Sequence, residues 1–256
     1  MNEAILARLH AVHGCVGFYY KNLITGETAA LNAHAPLTAA SVIKIPVMIE
    51  LMRRLEERSL DPDLLIEVKN PDRVPICGVL TFFHEGAKVT PMDLCWLMIT
   101  ISDNMATNLL IDLLGIGHIN ETLQSLGLTQ CVLRRKLFET RPEYRHLHNT
   151  VSAGEIGQLL EMMYRGELIS KTASARMLDI LSAQQCSNKL PLLLPDMRLA
   201  HKTGEDDGIT HDCGILFAMQ PFVLCFCTSG VDTSAMNLLM AEIARDLCAA
   251  HGGPAE

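Results

Sequence analysis

The chain has 256 residues, 49% of them hydrophobic and 20% charged, and 21 Lys and Arg against 29 Asp and Glu leave a net charge of −8. These are globular values for a chain long enough to bury a substantial core, with no low-complexity tract and no internal repeat. The acidic balance without a Lys/Arg cluster excludes a nucleic-acid partner, and apolar runs such as Leu94-Cys95-Trp96-Leu97-Met98-Ile99 are far too short to integrate into a membrane.

The spacing of Ile5, Leu6, Leu9 and Val12 predicts a helix over 3–12. This N-terminal stretch has no basic segment followed by an apolar one, so the chain as written reads as cytoplasmic. A cloned mature form of a periplasmic or secreted protein would begin with Met in the same way. A strand over 15–20, a turn at Thr25-Gly26 and a second strand over 28–31 form a hairpin signature. Apolar i, i+3, i+4 patterns then predict helices over 41–58, 91–101, 104–114, 118–126, 151–164 and 170–183. Strands return over 197–204, 212–219 and 222–229, with Gln220-Pro221 turning between the last two, and a helix over 233–250 closes the chain.

Strands, then helices, then strands imply an α+β fold: an antiparallel sheet flanked by helices and assembled from both chain ends, 1–38 and 184–256, with an all-helical domain over 39–183 inserted between them. A cleft between two such lobes is where a small-molecule site is expected. The nine cysteines, an odd number without C-x-x-C spacing, point to reduced thiols rather than a disulfide framework. Cys225 and Cys227 lie two apart in a strand and share a face, too few ligands for zinc, and read as packing residues.

Three blocks carry chemistry: Ser41-Val42-Ile43-Lys44, Ser102-Asp103-Asn104 and Lys202-Thr203-Gly204. An S-x-x-K turns up about once in a chain this long, and a given tripeptide on the order of a few per cent of the time, so three in order are hard to assign to chance. Ser41 opens a helix that starts apolar all round and becomes charged at Glu50, Arg53, Arg54, Glu56, Glu57 and Arg58. That places Lys44, one turn on, inside the protein, where desolvation lowers its pKa and lets it take the serine proton. The bland alternative makes Ser41 an N-cap and Lys44 a snorkelling surface lysine. Ser102 or Asp103 caps the next helix, and the Ser102 hydroxyl is also placed to relay a proton while the Asn104 amide meets a substrate carbonyl. Lys202, on the inner face of an edge strand, offers positive charge to a carboxylate. Thr203 supplies a hydroxyl donor and Gly204 allows close backbone approach. The N–H of Glu205, with that of Ser41, would form an oxyanion hole. As plain structure the same residues are a hairpin turn.

On these motifs, and on Leu97-Met98-Ile99, Ala106-Thr107-Asn108-Leu109-Leu110 and Ile209-Thr210-His211-Asp212 around them, the chain resembles the class A β-lactamase and penicillin-binding-protein superfamily over nearly its whole length. The resemblance implies a β-lactamase/transpeptidase-like fold and a hydrolase acting through an acyl-enzyme. Ser41 would be the acylated nucleophile and Lys44 its base partner. Ser102 and Lys202 would be relay and electrostatic residues, and Asn104, Thr203, Gly204 and the Glu205 backbone the substrate contacts. The implied ligand is a small acyl substrate, a β-lactam or a peptide-like amide; no metal or organic cofactor is required, and the oligomeric state is left open.

One departure stands out. The family has an Ω-shaped loop whose glutamate, two positions after an arginine, activates the deacylating water. Here the loop spans about 135–149 and the position two after Arg135 is Leu137. Glu139 and Glu143 are the nearest carboxylates, and Glu139 reads either as the base or as a loop-fixing ion-pair partner. With no carboxylate poised there, acylation proceeds and deacylation is slow. No arginine is marked for a substrate carboxylate, and His211 is the candidate by position. Two other readings remain: a cytosolic amidase or esterase on another acyl substrate, and a penicillin-binding sensor module with little turnover. A serine-dependent glutaminase fits less well, because Lys202-Thr203-Gly204 would have no role.

Overall fold

A computed structural model of the chain describes residues 2–74, 77–144 and 146–254. In chain order it contains α1 (Asn2–His10), β1 (Cys15–Asn22), β2 (Thr28–Leu31), β3 (Leu37–Thr38), a 3₁₀ turn (Ala40–Ile43), α2 (Lys44–Glu56), β4 (Ile66–Glu67) and β5 (Lys88–Val89). There follow α3 (Pro91–Thr100), α4 (Asn104–Leu114), α5 (Ile116–Ser125), β6 (Thr150–Val151), α6 (Ala153–Arg165) and α7 (Lys171–Ser182). The chain closes with β7 (Leu199–Asp206), β8 (Ile209–Leu216), β9 (Phe222–Ser229) and α8 (Thr233–Ala250).

Both chain ends build one antiparallel sheet in the order β2-β1-β9-β8-β7, which leaves β7 as an edge. Period-2 alternation sorts its two faces. Phe222, Leu224 and Phe226 of β9 meet Phe18 and Tyr20 of β1 with Ile5 and Leu9 of α1 and Met240, Ile243 and Leu247 of α8. Val223, Cys225 and Cys227 point the other way, into a larger core shared with α2, α3, α4, α6 and α7. The Cys213 and Cys227 sulfurs lie 3.8 Å apart in that core, and all nine cysteines are free. Among the described residues no helix is long and apolar enough to cross a membrane.

Two differences from the sequence reading matter for the site. The β7–β8 hairpin extends beyond Gly204, because the turn is Asp207-Gly208, with Gly208 at φ +63°, and Asp206 pairs with Ile209. An Asp-Gly pair can turn the chain in two residues, so Glu205 and Asp206 are strand residues rather than loop. On α2, Glu50 is buried rather than solvated: its carboxylate accepts from Arg53 and Arg54 and from the Thr122 hydroxyl at 2.6 Å. This cluster ties the second half of α2 to α5, and so fixes the helix whose first residue is Lys44.

Candidate active site

The turn that carries Ser41 is 3₁₀ rather than α-helical, and no side chain caps it; Ser41 is therefore not an N-cap. Ala40 before it has φ +41°, and Ser102, Cys77 and Phe138, all around the same cavity, have φ between +56° and +60°. Left-handed backbone at non-glycine residues costs energy, and its concentration here marks the site as over-determined by its surroundings.

Ser102 follows the last turn of α3 in that left-handed conformation, while Asp103 performs the capping. Its Oδ1 accepts from the Ala106 N–H at 2.9 Å, and its Oδ2 accepts from the Val79 and Leu80 N–H groups at 2.7 and 2.8 Å. Asp103 thereby ties the 77–80 loop to the start of α4. Gly78 permits this contact, since a Cβ there would lie 2.2 Å from the Asp103 carboxylate.

Lys44 is fully buried, and its Nζ lies 2.7 Å from the Ser102 carbonyl, 2.9 Å from Ser102 Oγ and 2.8 Å from Asn104 Oδ1. Lys202, equally buried, donates to Ser102 Oγ at 3.1 Å and to the Thr203 carbonyl at 2.9 Å. Ser102 Oγ thus bridges two lysines contributed by opposite parts of the chain. Burial pushes the Lys44 pKa well below its ordinary value, and the nearby Lys202 charge adds to the effect. Burial lowers Lys202 to about 8. Desolvation disfavours each ammonium, and a neighbouring lysine charge does so again, that of Lys202 on Lys44 and that of Lys189 on Lys202. In its neutral form Lys44 donates to the two carbonyl-type oxygens, which leaves its lone pair toward the Ser102 hydroxyl. The Ser41 and Thr203 hydroxyls have no hydrogen bond among the described residues. Gly204 lets β7 close onto the Ser41 turn, because a Cβ there would sit 3.2 Å from the Ser41 nitrogen and 3.2 Å from Ala40 Cβ.

These groups open into a cavity of about 490 Å³ lined by Ser41, Cys77 and Asn104 below, Glu205 and Asp206 of β7 on one side, and Leu137 and Phe138 of the 135–149 loop on the other. Within that loop Arg145 lies outside the described residues. Asn149 holds its two ends together: Oδ1 accepts from the Arg134 and Arg135 N–H groups at 2.8 and 3.0 Å, and Nδ2 donates to the Arg135 carbonyl at 3.0 Å. Asn108 of α4 clasps Leu137, its Oδ1 accepting from the Leu137 N–H and its Nδ2 donating to the Leu137 carbonyl, each at 2.9 Å. Glu139 is not among the residues lining the Ser41 cavity. It pairs with Arg141 at 2.7 Å, and those hydrogen bonds hold its carboxyl down to about 2.

The chain matches the family described as β-lactamase enzyme family over residues 1–251. The chain belongs to that family. Among curated proteins it is 29% identical over 271 residues to a β-lactamase of Streptomyces fradiae, covering 97% of this chain and 85% of that one. Among solved structures it resembles the β-lactamase of Sphaerobacter thermophilus at 30% identity and TM-score 0.90, covering 98% of this chain and 96% of that one. It also resembles a leucine-to-glutamate mutant of PBP-A, solved as its acyl-enzyme complex with penicillin G, at 25% identity and TM-score 0.87, covering 97% and 95%. The protein is a β-lactamase-like serine hydrolase, and the β-lactam amide is the bond on which this family acts. A separate cytosolic amidase or esterase is not favoured.

In this β-lactamase-family chain the residues singled out from the three motifs converge. Ser41, Asn104 and Glu205 line the cavity, Lys44, Ser102, Asn104 and Lys202 share one hydrogen-bond network, and Gly204 packs on the Ser41 turn. His211 does not serve as a candidate for a substrate carboxylate. It is buried, its Nδ1 accepts from the Thr228 N–H at 3.0 Å, and its Nε2 therefore donates to the Thr38 carbonyl at 2.8 Å. Both ring nitrogens are used, and burial lowers the pKa, so the ring stays neutral. Sequence reasoning missed Asp103 as the tie to the 77–80 loop, Asn108 as the clasp on Leu137, and Lys189 behind Glu205. Asn108 stood inside a quoted motif but only contact with the distant loop reveals its use.

Proposed function

We propose that Ser41 is acylated by β-lactams and that the acyl-enzyme persists, because the loop wall offers Leu137 where a water-activating carboxylate would be needed. Neutral Lys44 receives the Ser41 proton, through the Ser102 hydroxyl or directly once a ligand compresses the site. Ser41 Oγ then attacks the lactam carbonyl carbon. The backbone N–H groups of Ser41 and Glu205 are the donors for the oxyanion, a reading supported by the closeness of Gly204 to the Ser41 nitrogen. As the C–N bond breaks, the ring nitrogen takes its proton from Ser102 Oγ, which is resupplied by Lys44 or Lys202 at 2.9 and 3.1 Å. Lys202 and Thr203 meet the ligand carboxylate and the Asn104 amide its acyl side chain.

The observation that carries slow deacylation is the pair of Asn108 hydrogen bonds that fix the Leu137 backbone at the cavity, with Glu139 turned to Arg141. The test is intact-mass measurement over time after mixing with benzylpenicillin. An adduct of one acyl group that maps to Ser41 and decays over many minutes is expected. A protein that stays folded and never gains mass would remove the proposal, and turnover too fast for any adduct to accumulate would remove its second half.

A further inference from the structure

Lys189 lies in the segment between α7 and β7 and has no exposed surface. Its ammonium reaches the carbonyls of Gly204 at 3.1 Å and His211 at 3.2 Å, which are directly paired residues of β7 and β8. The remaining direction is taken by Glu205 Oε1 at 2.9 Å. Glu205 is different: its side chain is 61% exposed and lines the Ser41 cavity. Burial alone would raise its pKa, but the hydrogen bond and charge of Lys189 hold it low, so Glu205 is ionised at neutral pH. A bare carboxylate at that position, directly after Lys202-Thr203-Gly204, would oppose any anionic ligand drawn to Lys202.

We propose that Lys189 is a positioning residue that neutralises Glu205 at the cavity wall and holds the end of β7, so that an anionic β-lactam is not repelled from the acylation site. The inference rests on the reading of this cavity as the site of Ser41 acylation. Beyond that reading it assigns the selectivity for a negatively charged substrate to a buried lysine that touches no ligand. Because Lys189 is enclosed, salt does not screen it; because Glu205 is exposed, salt does screen its charge once Lys189 is gone.

The experiment compares acylation kinetics of wild type, Lys189→Gln, and Lys189→Gln with Glu205→Gln, using benzylpenicillin and its uncharged methyl ester. Glutamine keeps an amide donor directed toward the two strand carbonyls, one bond shorter, and removes the charge. Lys189→Gln is expected to weaken the apparent affinity for benzylpenicillin about ten-fold, leaving the limiting acylation rate close to wild type and the ester unaffected. The loss should shrink at high salt, and adding Glu205→Gln should restore it. A loss equal for both substrates, or one not restored by Glu205→Gln, means that Lys189 is only structural and overturns the proposal. Should Lys189→Gln not fold, Glu205→Gln alone decides: with Lys189 unopposed, affinity for benzylpenicillin should rise while that for the ester does not, and no difference overturns the proposal. Absence of any wild-type adduct would instead defeat the acylation reading itself.

Discussion

The floor and the loop wall of the cavity are built on different principles. On the floor Lys44, Ser102, Asn104 and Lys202 interlock through side-chain hydrogen bonds of 2.7 to 3.1 Å. Those groups are buried, so each is costly to leave unpaired and each constrains its neighbours. On the loop wall the side chains of Asn108 and Asn149 grip only backbone. That grip fixes the path of the chain but not the chemistry of the side chain at position 137. The floor is thus a mutually dependent network in which each member constrains the others, whereas position 137 accepts an apolar residue without disturbing the loop.

The largest effect should come from the floor. Ser41→Ala should abolish the penicilloyl adduct altogether in intact-mass spectra, while the protein still folds because Ser41 Oγ bonds to nothing among the described residues. Lys44→Met should slow adduct formation by roughly 10²- to 10⁴-fold, the usual contribution of a positioned base, read as the rate of mass gain. An adduct forming at the wild-type rate would mean that the Lys44–Ser102 network is structural. On the loop wall, Leu137→Glu should shorten the adduct lifetime by about 10²-fold or more, measured by decay of the acylated mass, with acylation itself little changed. Unaltered lifetime would show that the wall lacks more than a carboxylate.

The pH dependence sharpens the same contrast. Lys202 has a pKa of about 8, below its ordinary value, because it is buried. Below that pH it carries its charge, and above it the charge is lost, so acylation by benzylpenicillin should fall as pH rises through about 8. In a stopped-time assay this gives a fall above about pH 8 for the anionic substrate and a flatter profile for its methyl ester. The sign for stability is opposite: the unfolded chain binds the Lys202 proton more tightly, so this burial penalty is relieved as pH rises from about 8 toward about 10. The smallest effect is expected at Glu139. Glu139→Gln removes an ion pair with Arg141 outside the cavity and should leave the adduct lifetime unchanged, whereas a marked lengthening would make Glu139 the base after all.

Much of this was legible in the chain itself. Alternating residues in β9 and the i, i+3, i+4 spacing of the helices follow from local geometry, so the elements and the α+β order could be read directly. The three motifs were equally readable, since Ser41 and Lys44 are neighbours on one turn and Lys202-Thr203-Gly204 sits in a strand. The helix start after Ser41, the burial of Glu50 and the extent of β7 were less accessible. They depend on a left-handed Ala40, on arginines that bury Glu50, and on a two-residue turn at Asp207-Gly208.

The elements, the chemical inventory and the absence of a glutamate two places after Arg135 depend on residues close together in the chain and can be read from it directly. Packing of distant segments is what sets one hydroxyl, Ser102 Oγ, between two lysines, lets Asn108 grip Leu137 across 29 positions, and stands Lys189 behind Glu205. The physical reason is that hydrogen bonds and charge pairs act over a few ångströms of space, and which distant residues share that space is settled by how the helices pack on the sheet.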